Sequence, residues 1–158
     1  MTESSVTRFV VPPVEKSMLV ACDPARAFHA FTAEIGSWWP MQTHSVAQAE
    51  TRTVAIEPMV GGRIFETAGD GTESDWGRVL TWSPPDGFSM TWHPGRAADP
   101  HTVVELSFAA EGGGTRVRLV HRGWDALGPD AQAKRDAYHG GWDTVFVRDF
   151  ARYLASIS

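Results

Sequence analysis

Hydrophobic and polar positions alternate over residues 14–21 and read as a first strand. Asp23-Pro24 then signals a helix start, with Asp23 as N-cap and Pro24 at the first helical position. Over residues 25–34 the period becomes helical, with Phe28, Phe31 and Ile35 on one side, and Gly36 ends the segment. Ser37, Trp38, Trp39 and Pro40 make a second short turn or helix.

Short strand-like runs follow over residues 52–57, 63–67, 74–82, 88–93, 102–109 and 115–122. Turn signals divide them: Gly61-Gly62, Asp70-Gly71, Pro84-Pro85-Asp86-Gly87, Pro94-Gly95 and Gly112-Gly113-Gly114. This spacing predicts an antiparallel meander. Pro129-Asp130 opens a long helix that runs nearly to the C-terminus, with Tyr138, Trp142, Phe146, Phe150 and Tyr153 on one stripe. Gly140-Gly141 interrupts it, at a cost of roughly 1 kcal/mol per glycine, which points to a kink or a close backbone contact. The predicted fold is α+β: a curved antiparallel sheet of about seven strands wrapped around a long C-terminal helix, with two short helices between strands 1 and 2. One helix cannot cover a flat sheet of that width, so the sheet must curl, and a curled sheet with a helix across its mouth leaves a cavity.

Composition narrows the partners. The 158 residues fit one domain spanning 1–158, with 1–12 as a loose leader. A net charge of −5 argues against nucleic acid, and no apolar run approaches a membrane span or a signal peptide, so a cytoplasmic protein is expected. Cys22 is the only cysteine and the histidines lack metal spacing, so neither a disulfide nor a metal site is expected. The glycine run at 112–114 lacks a phosphate-loop lysine, no Gly-x-Ser-x-Gly elbow occurs, and no cofactor is expected. Seven Trp beside eight Phe and two Tyr is unusual, and indoles suit both cores and pocket walls.

The residues Cys22-Asp23-Pro24, Ala27-Phe28, Phe31, Glu57-Pro58, Val60-Gly61-Gly62-Arg63, Glu66, Asp75-Trp76-Gly77-Arg78-Val79-Leu80, Pro84-Pro85, Met90-Thr91-Trp92 and Gly141-Trp142 form a pattern over nearly the whole chain. It resembles the helix-grip (START-like, SRPBCC) superfamily, within it the branch named for the activator of the Hsp90 ATPase. The resemblance implies the helix-grip fold. It leaves activity open, since that superfamily includes lipid carriers, polyketide cyclases, hormone receptors and ring-hydroxylase subunits.

Strand pairing decides which side chains face the cavity. A hairpin about Asp70-Gly71 sets Phe65 opposite Trp76 and Arg63 opposite Arg78. A turn centred on Pro85 then sets Arg78, Leu80 and Trp82 against Trp92, Met90 and Phe88. In the last hairpin Val104, Leu106 and Phe108 face His121, Leu119 and Val117. This register is preferred because it gathers more aromatic area. The competing register, one residue out of phase, turns Ile64, Glu66 and Val79 inward.

In the preferred register Arg78 is a candidate anchor for a ligand carboxylate or phosphate, against an internal ion pair with Glu66 or Asp75 or a snorkelling position at the strand edge. His121 and Glu66 are the candidate acid/base residues, against structural roles for both. His44 and His139 are weaker candidates at the mouth. Adjacent indoles on a short helix cannot both point inward, so one of Trp38 and Trp39 enters the cavity and the other packs at the rim. The expected ligand wall is Trp38, Trp39, Phe65, Trp76, Arg78, Trp92, His121, Tyr138, Trp142 and Phe146. The expected function is binding of a small hydrophobic or amphipathic molecule. The alternatives are an enzyme of the polyketide cyclase/dehydratase or hydrolase type, and a cochaperone-like interaction domain. An edge strand could support a homodimer.

Overall fold

In the computed structural model, which describes residues 10–157, Asp23 caps the first helix as its place before Pro24 requires. Its carboxylate accepts the Arg26 N–H at 2.8 Å, satisfying one of the first-turn donors that the helix cannot pair. Strand β1 is Val14–Val20, helix α1 is Pro24–Thr32 and the one-turn helix α2 is Ile35–Trp38. The meander then runs through β2 (Thr51–Ile56), β3 (Arg63–Ala68), β4 (Glu73–Ser83), β5 (Gly87–Trp92), β6 (Thr102–Glu111) and β7 (Gly114–Arg122). A helix α3 (Ala131–Trp142), a π-helical stretch (Asp143–Phe150) and α4 (Ala151–Ile157) complete the chain as one continuous helical run.

The seven strands are antiparallel in the order β1-β7-β6-β5-β4-β3-β2, curled into a half-barrel around that C-terminal run, so the predicted α+β architecture holds. β1 and β2 lie at opposite edges, and α1 and α2 carry the chain from one to the other. Of the expected leader, residues 1–9 lie outside the described residues. The remainder is tied down: the Val11 N–H donates to Asp125 at 3.1 Å, and Arg135 donates to the Pro12 and Pro13 carbonyls at 3.2 and 3.1 Å.

Half of the interior is densely filled. Phe28 and Phe31 of α1 meet Phe88 and Phe108 of the sheet at centroid distances of 5.3–6.4 Å, and Phe31 lies 5.1 Å from Phe150. Such aromatic pairs each add about 0.5–1.5 kcal/mol beyond the area they bury. The last hairpin holds the expected register, pairing Val104 with His121, Leu106 with Leu119 and Phe108 with Val117.

The other half of the sheet keeps the expected pairs Arg63–Arg78 and Trp82–Phe88 but departs from the preferred register around Trp76 and Leu80. β3 pairs Ile64 with Gly77 but Phe65 with Asp75, so Trp76 is an extra residue on β4. β4 pairs Val79 with Met90 but Thr81 with Ser89, so Leu80 is a second. Each β-bulge shifts the in/out alternation by one. Ile64, Glu66, Trp76 and Val79 are therefore buried together, while Arg78 and Leu80 face solvent and Phe65 is half-buried. Neither unbroken register describes this strand.

Gly77 makes the first bulge feasible. A Cβ there would lie 1.8 Å from the Thr91 carbonyl oxygen. Because of that approach the Arg78 N–H donates to Thr91 Oγ1 at 2.8 Å, and the Trp76 carbonyl accepts the His93 N–H at 2.7 Å. The threonine hydroxyl stands in for a ladder carbonyl. Gly77→Ala must push two backbones apart, and a loss of about 3 kcal/mol is expected in a urea melt.

Candidate functional site

The C-terminal helical run and the bulged strand enclose a cavity of about 390 Å³ in the half of the interior that the phenylalanines leave free. Four indoles wall it: Trp39 from the end of α2, Trp76 from β4, Trp92 from β5 and Trp142 from α3. Their centroids lie 5.0–6.0 Å apart at interplanar angles of 47–85°, so no pair stacks flat to close the space. Tyr138, Gly141 and Val145 complete the helical wall, and the segment Thr43–Val46 with Pro94 and Gly95 forms the rim. No Asp, Glu, Lys or Arg side chain lines it.

The helix presents this wall without the close backbone contact that Gly140-Gly141 suggested. It continues through both glycines, and a Cβ at either would meet nothing within 4 Å. The π-helical stretch follows directly, and its i→i+5 bonding widens the turn. A wider turn keeps residues four apart, Trp142, Phe146 and Phe150, on the buried face.

Glu66, one of the two acid/base candidates, is 1% exposed and fully engaged. Its Oε1 accepts from the Val46 N–H at 2.6 Å and the Trp76 indole at 2.7 Å. Its Oε2 accepts from the Ala47 N–H at 2.9 Å and the Thr51 hydroxyl at 3.0 Å. The carboxylate thus pins the rim segment to the sheet and fixes the orientation of Trp76. Its role in this geometry is to hold the wall in place.

His121, the other candidate, is wholly buried, and both ring nitrogens are committed. An indole N–H can only donate, so the 3.0 Å bond from Trp142 Nε1 makes Nδ1 the acceptor and puts the proton on Nε2. Nε2–H then donates to Thr102 Oγ1 at 2.6 Å, and that hydroxyl donates to the Trp92 carbonyl at 3.2 Å. The Trp124 ring covers the imidazole at 4.1 Å between centroids, and the Tyr138 ring stands 5.0 Å away. Burial pushes the His121 pKa down to about 3, with Arg96 adding in the same direction. A neutral imidazole locked between two walls sets the position of Trp142 and cannot accept a proton near neutral pH.

Several expected wall residues lie elsewhere. Arg78 is exposed and pairs with Asp75 at 2.9 Å, the alternative considered for it, and no cationic anchor enters the cavity. Phe65 sits on the outer face under the Arg63 guanidinium, 3.9 Å from the ring centroid. Both were displaced by the bulge at Trp76, which inverts their strand phase. Trp38 and Trp39 are both buried, against the expectation that one packs at the rim. Trp39 follows the last helical residue in an extended conformation, which swings it into the cavity wall. Trp38 instead packs on Phe31 and Phe150 at 5.1 and 4.8 Å and donates to the Ala30 carbonyl, so it and Phe146 belong to the core beside the cavity.

Among the weaker candidates, His44 lines the rim, with Nδ1 2.7 Å from Thr43 Oγ1. His139 lies outside, against Lys16 at 3.2 Å. The rim residues Thr43, Ser45 and Val46 carry no periodic signal and were missed. An inward Glu66 with no basic neighbour would have been the clue to them. Among the described residues no group of His, Cys, Asp and Glu could hold a metal, and no helix is long and apolar enough to cross a membrane.

The profile of the family described as activator of Hsp90 ATPase homolog 1-like protein matches residues 21–155. The chain belongs to that family. Solved structures place this Hsp90-activator-homolog-like chain among relatives of the same fold. An anthrahydroquino-γ-pyrone synthase, Txn09, in complex with a ligand designated SUM, is 34% identical, with a TM-score of 0.62 and coverage of 90% of this chain and 97% of that one. Protein MLL2253 from Mesorhizobium loti is 21% identical, with a TM-score of 0.67 and coverage of 92% and 98%. DynU16, from the dynemicin biosynthetic locus, is 18% identical, with a TM-score of 0.66, and 90% of this chain covers 47% of that one. The last two show the shared fold alone. No curated protein matches the chain.

Proposed function

We propose that this protein binds a small aromatic or amphipathic molecule in the tryptophan-walled cavity. The observation that carries the reading is the four-indole enclosure of about 390 Å³ with no charged side chain in its lining. That volume lies within the range of small-molecule sites, and apolar walls with a few polar groups at one end are their usual chemistry. Indole faces favour flat, polarisable ligands over flexible acyl chains. The 34% identity to Txn09, whose name specifies a fused-ring product, supports the same ligand class. We place the protein in the cytoplasm, where Cys22 would stay reduced.

Gly141 offers the test. It lines the cavity, and a Cβ there meets nothing, so Gly141→Leu should fill the site without disturbing the core. Tryptophan emission of the wild type should be quenched saturably by a planar aromatic such as 9,10-anthraquinone. In Gly141→Leu the quenching should be lost while the melting temperature stays level or rises, because leucine favours a helix by up to about 1 kcal/mol over glycine. Equal quenching of both proteins would reject the cavity as the site.

A second reading, a ring-closing enzyme on such a ligand, is favoured by the identity to Txn09 alone. With Glu66 and His121 engaged, its acid/base groups would have to be His44 and Tyr138. Chromatographic detection of turnover of a phenolic precursor, lost in His44→Ala, separates it from binding.

A further inference from the structure

Burial along the lining shows where the cavity opens. Trp39, Trp76, Trp92, Trp142 and Val145 are buried, whereas Thr43, Val46 and Gly95 are exposed, so the mouth lies where the rim segment meets the loop between β5 and β6. The two sides approach closely there: a Cβ on Gly95 would stand 3.7 Å from Val46 Cγ2. They are held in different ways. Glu66 pins the first side through the Val46 and Ala47 N–H groups. The second, residues 94–101, is held by Arg96, whose N–H donates to the His93 carbonyl at 2.9 Å and whose Nη2 donates to the Trp92 carbonyl at 3.4 Å. His101 Nδ1 donates to the Ala98 carbonyl at 2.9 Å within it. At the root of this loop His93 is 4% exposed, and its Nδ1 has no hydrogen-bond partner among the described residues.

We infer that the β5–β6 loop is a proton-released jaw of the cavity: protonation of His93 lifts residues 94–101 off the mouth and frees the bound molecule. This rests on the reading that the cavity binds an aromatic molecule, and it adds how that binding is regulated. A neutral His93 can leave Nδ1 as a bare acceptor, but the imidazolium carries an N–H there that lacks an acceptor in hydrogen-bond geometry. The charge is not offset either. The ladder that pairs Trp92 with Thr102 sets His93 opposite His101, and Arg96 stands in the loop itself. Burial opposes a positive ring, the Arg96 and His101 charges add to it, and the Arg96 and His93 carbonyls, which favour the charge, do not outweigh them. Asp75 of β4, next to the Trp76 whose carbonyl takes the His93 N–H, is engaged by Arg78 and Arg63. Asp99 of the loop is exposed, and among the described residues no carboxylate pairs with His93. Protonation therefore favours a conformation in which water reaches the ring. The loop yields rather than the sheet, because residues 97–100 are exposed while β5 and β6 are paired along their length. His101 keeps its bond in either state, since its Nδ1 is a donor in both, so His93 is the sensing group.

The probe is 9,10-anthraquinone, which has no titrating group of its own. Loaded protein is mixed by stopped flow with excess β-cyclodextrin as a trap, and recovery of tryptophan emission gives the dissociation rate. That rate should rise about tenfold from pH 7.5 to pH 5.5, the factor by which a proton taken up only in the open form, at an ordinary pKa near 6.5, raises that form's share. His93→Gln cannot take the proton and should keep its pH 7.5 rate at pH 5.5. A second measurement needs neither variant nor ligand: in the free wild type the Gly95 amide resonance should shift with the same midpoint as the His93 ring. A dissociation rate indifferent to pH, equal acceleration in His93→Gln, or a Gly95 amide that does not follow the ring overturns the jaw and leaves the cavity reading standing. If anthraquinone binds at neither pH, the cavity reading falls and the jaw with it.

Discussion

Replacing Glu66 by leucine is expected to cost about 4 kcal/mol of stability, the largest effect of any single change near the cavity. The side chain faces four donors: two backbone N–H groups of the rim, one hydroxyl and one indole. Leucine fills the volume but leaves all four without acceptors, and each orphaned donor costs about 1–3 kcal/mol where it stays dry. The sum is smaller than four full penalties because Val46 and Ala47 can lift toward solvent. Glu66→Gln is the informative control. It keeps the shape but sets an amide N–H against the Ala47 or Val46 N–H, so about 2 kcal/mol is expected. Urea unfolding followed by far-ultraviolet circular dichroism measures both. A loss in Glu66→Leu no larger than in Glu66→Gln would mean that the carboxylate does not anchor the rim. Released from its anchor, the rim segment should also expose the indole wall, seen as a red shift of tryptophan emission below the melting transition.

Acid should destabilise the protein well above the carboxylate range. His121 has its folded pKa depressed to about 3 by burial, against 6.5 for the exposed ring. The unfolded chain therefore binds the proton first, and stability falls as pH drops from 6.5 toward 3. Between pH 7 and pH 5 the loss from this one group is about 2 kcal/mol. His93, whose pKa is also lowered by burial, adds to the slope in the same direction. Glu34, held low chiefly by its hydrogen bonds from Arg26, and Glu57, held low by the Arg63 N–H, contribute only below about pH 4.5, so the window from pH 7 to pH 5 isolates the histidines. His121→Gln should flatten most of that slope and leave the smaller share of His93. A variant as acid-sensitive as the wild type across this window would place the titrating group elsewhere.

The element order, the last hairpin and the helix stripe were legible in the chain because each rests on a local period or a turn. Phe28 and Phe31, or Trp142, Phe146, Phe150 and Tyr153, recur at three- and four-residue steps that together only a helix can put on one face. Val104, Leu106 and Phe108 meet Val117, Leu119 and His121 because the glycine run between them folds at one place. Asp23-Pro24 announced a cap that the Arg26 N–H duly uses.

Beyond those local signals, the face of β4 was decided by tertiary structure. Extra residues at Trp76 and Leu80 reverse the alternation twice within one strand. The cause is a backbone approach at Gly77 and a hydroxyl from Thr91 on another strand, neither of which leaves a trace in the period of β4 itself. That is why Arg78 and Phe65 read as cavity residues and turned outward, while Glu66 turned inward and found four donors, two of them from a rim segment without periodic pattern. The chain by itself determined that seven strands would grip an aromatic helix. Which indoles wall the cavity depended on partners far away in sequence.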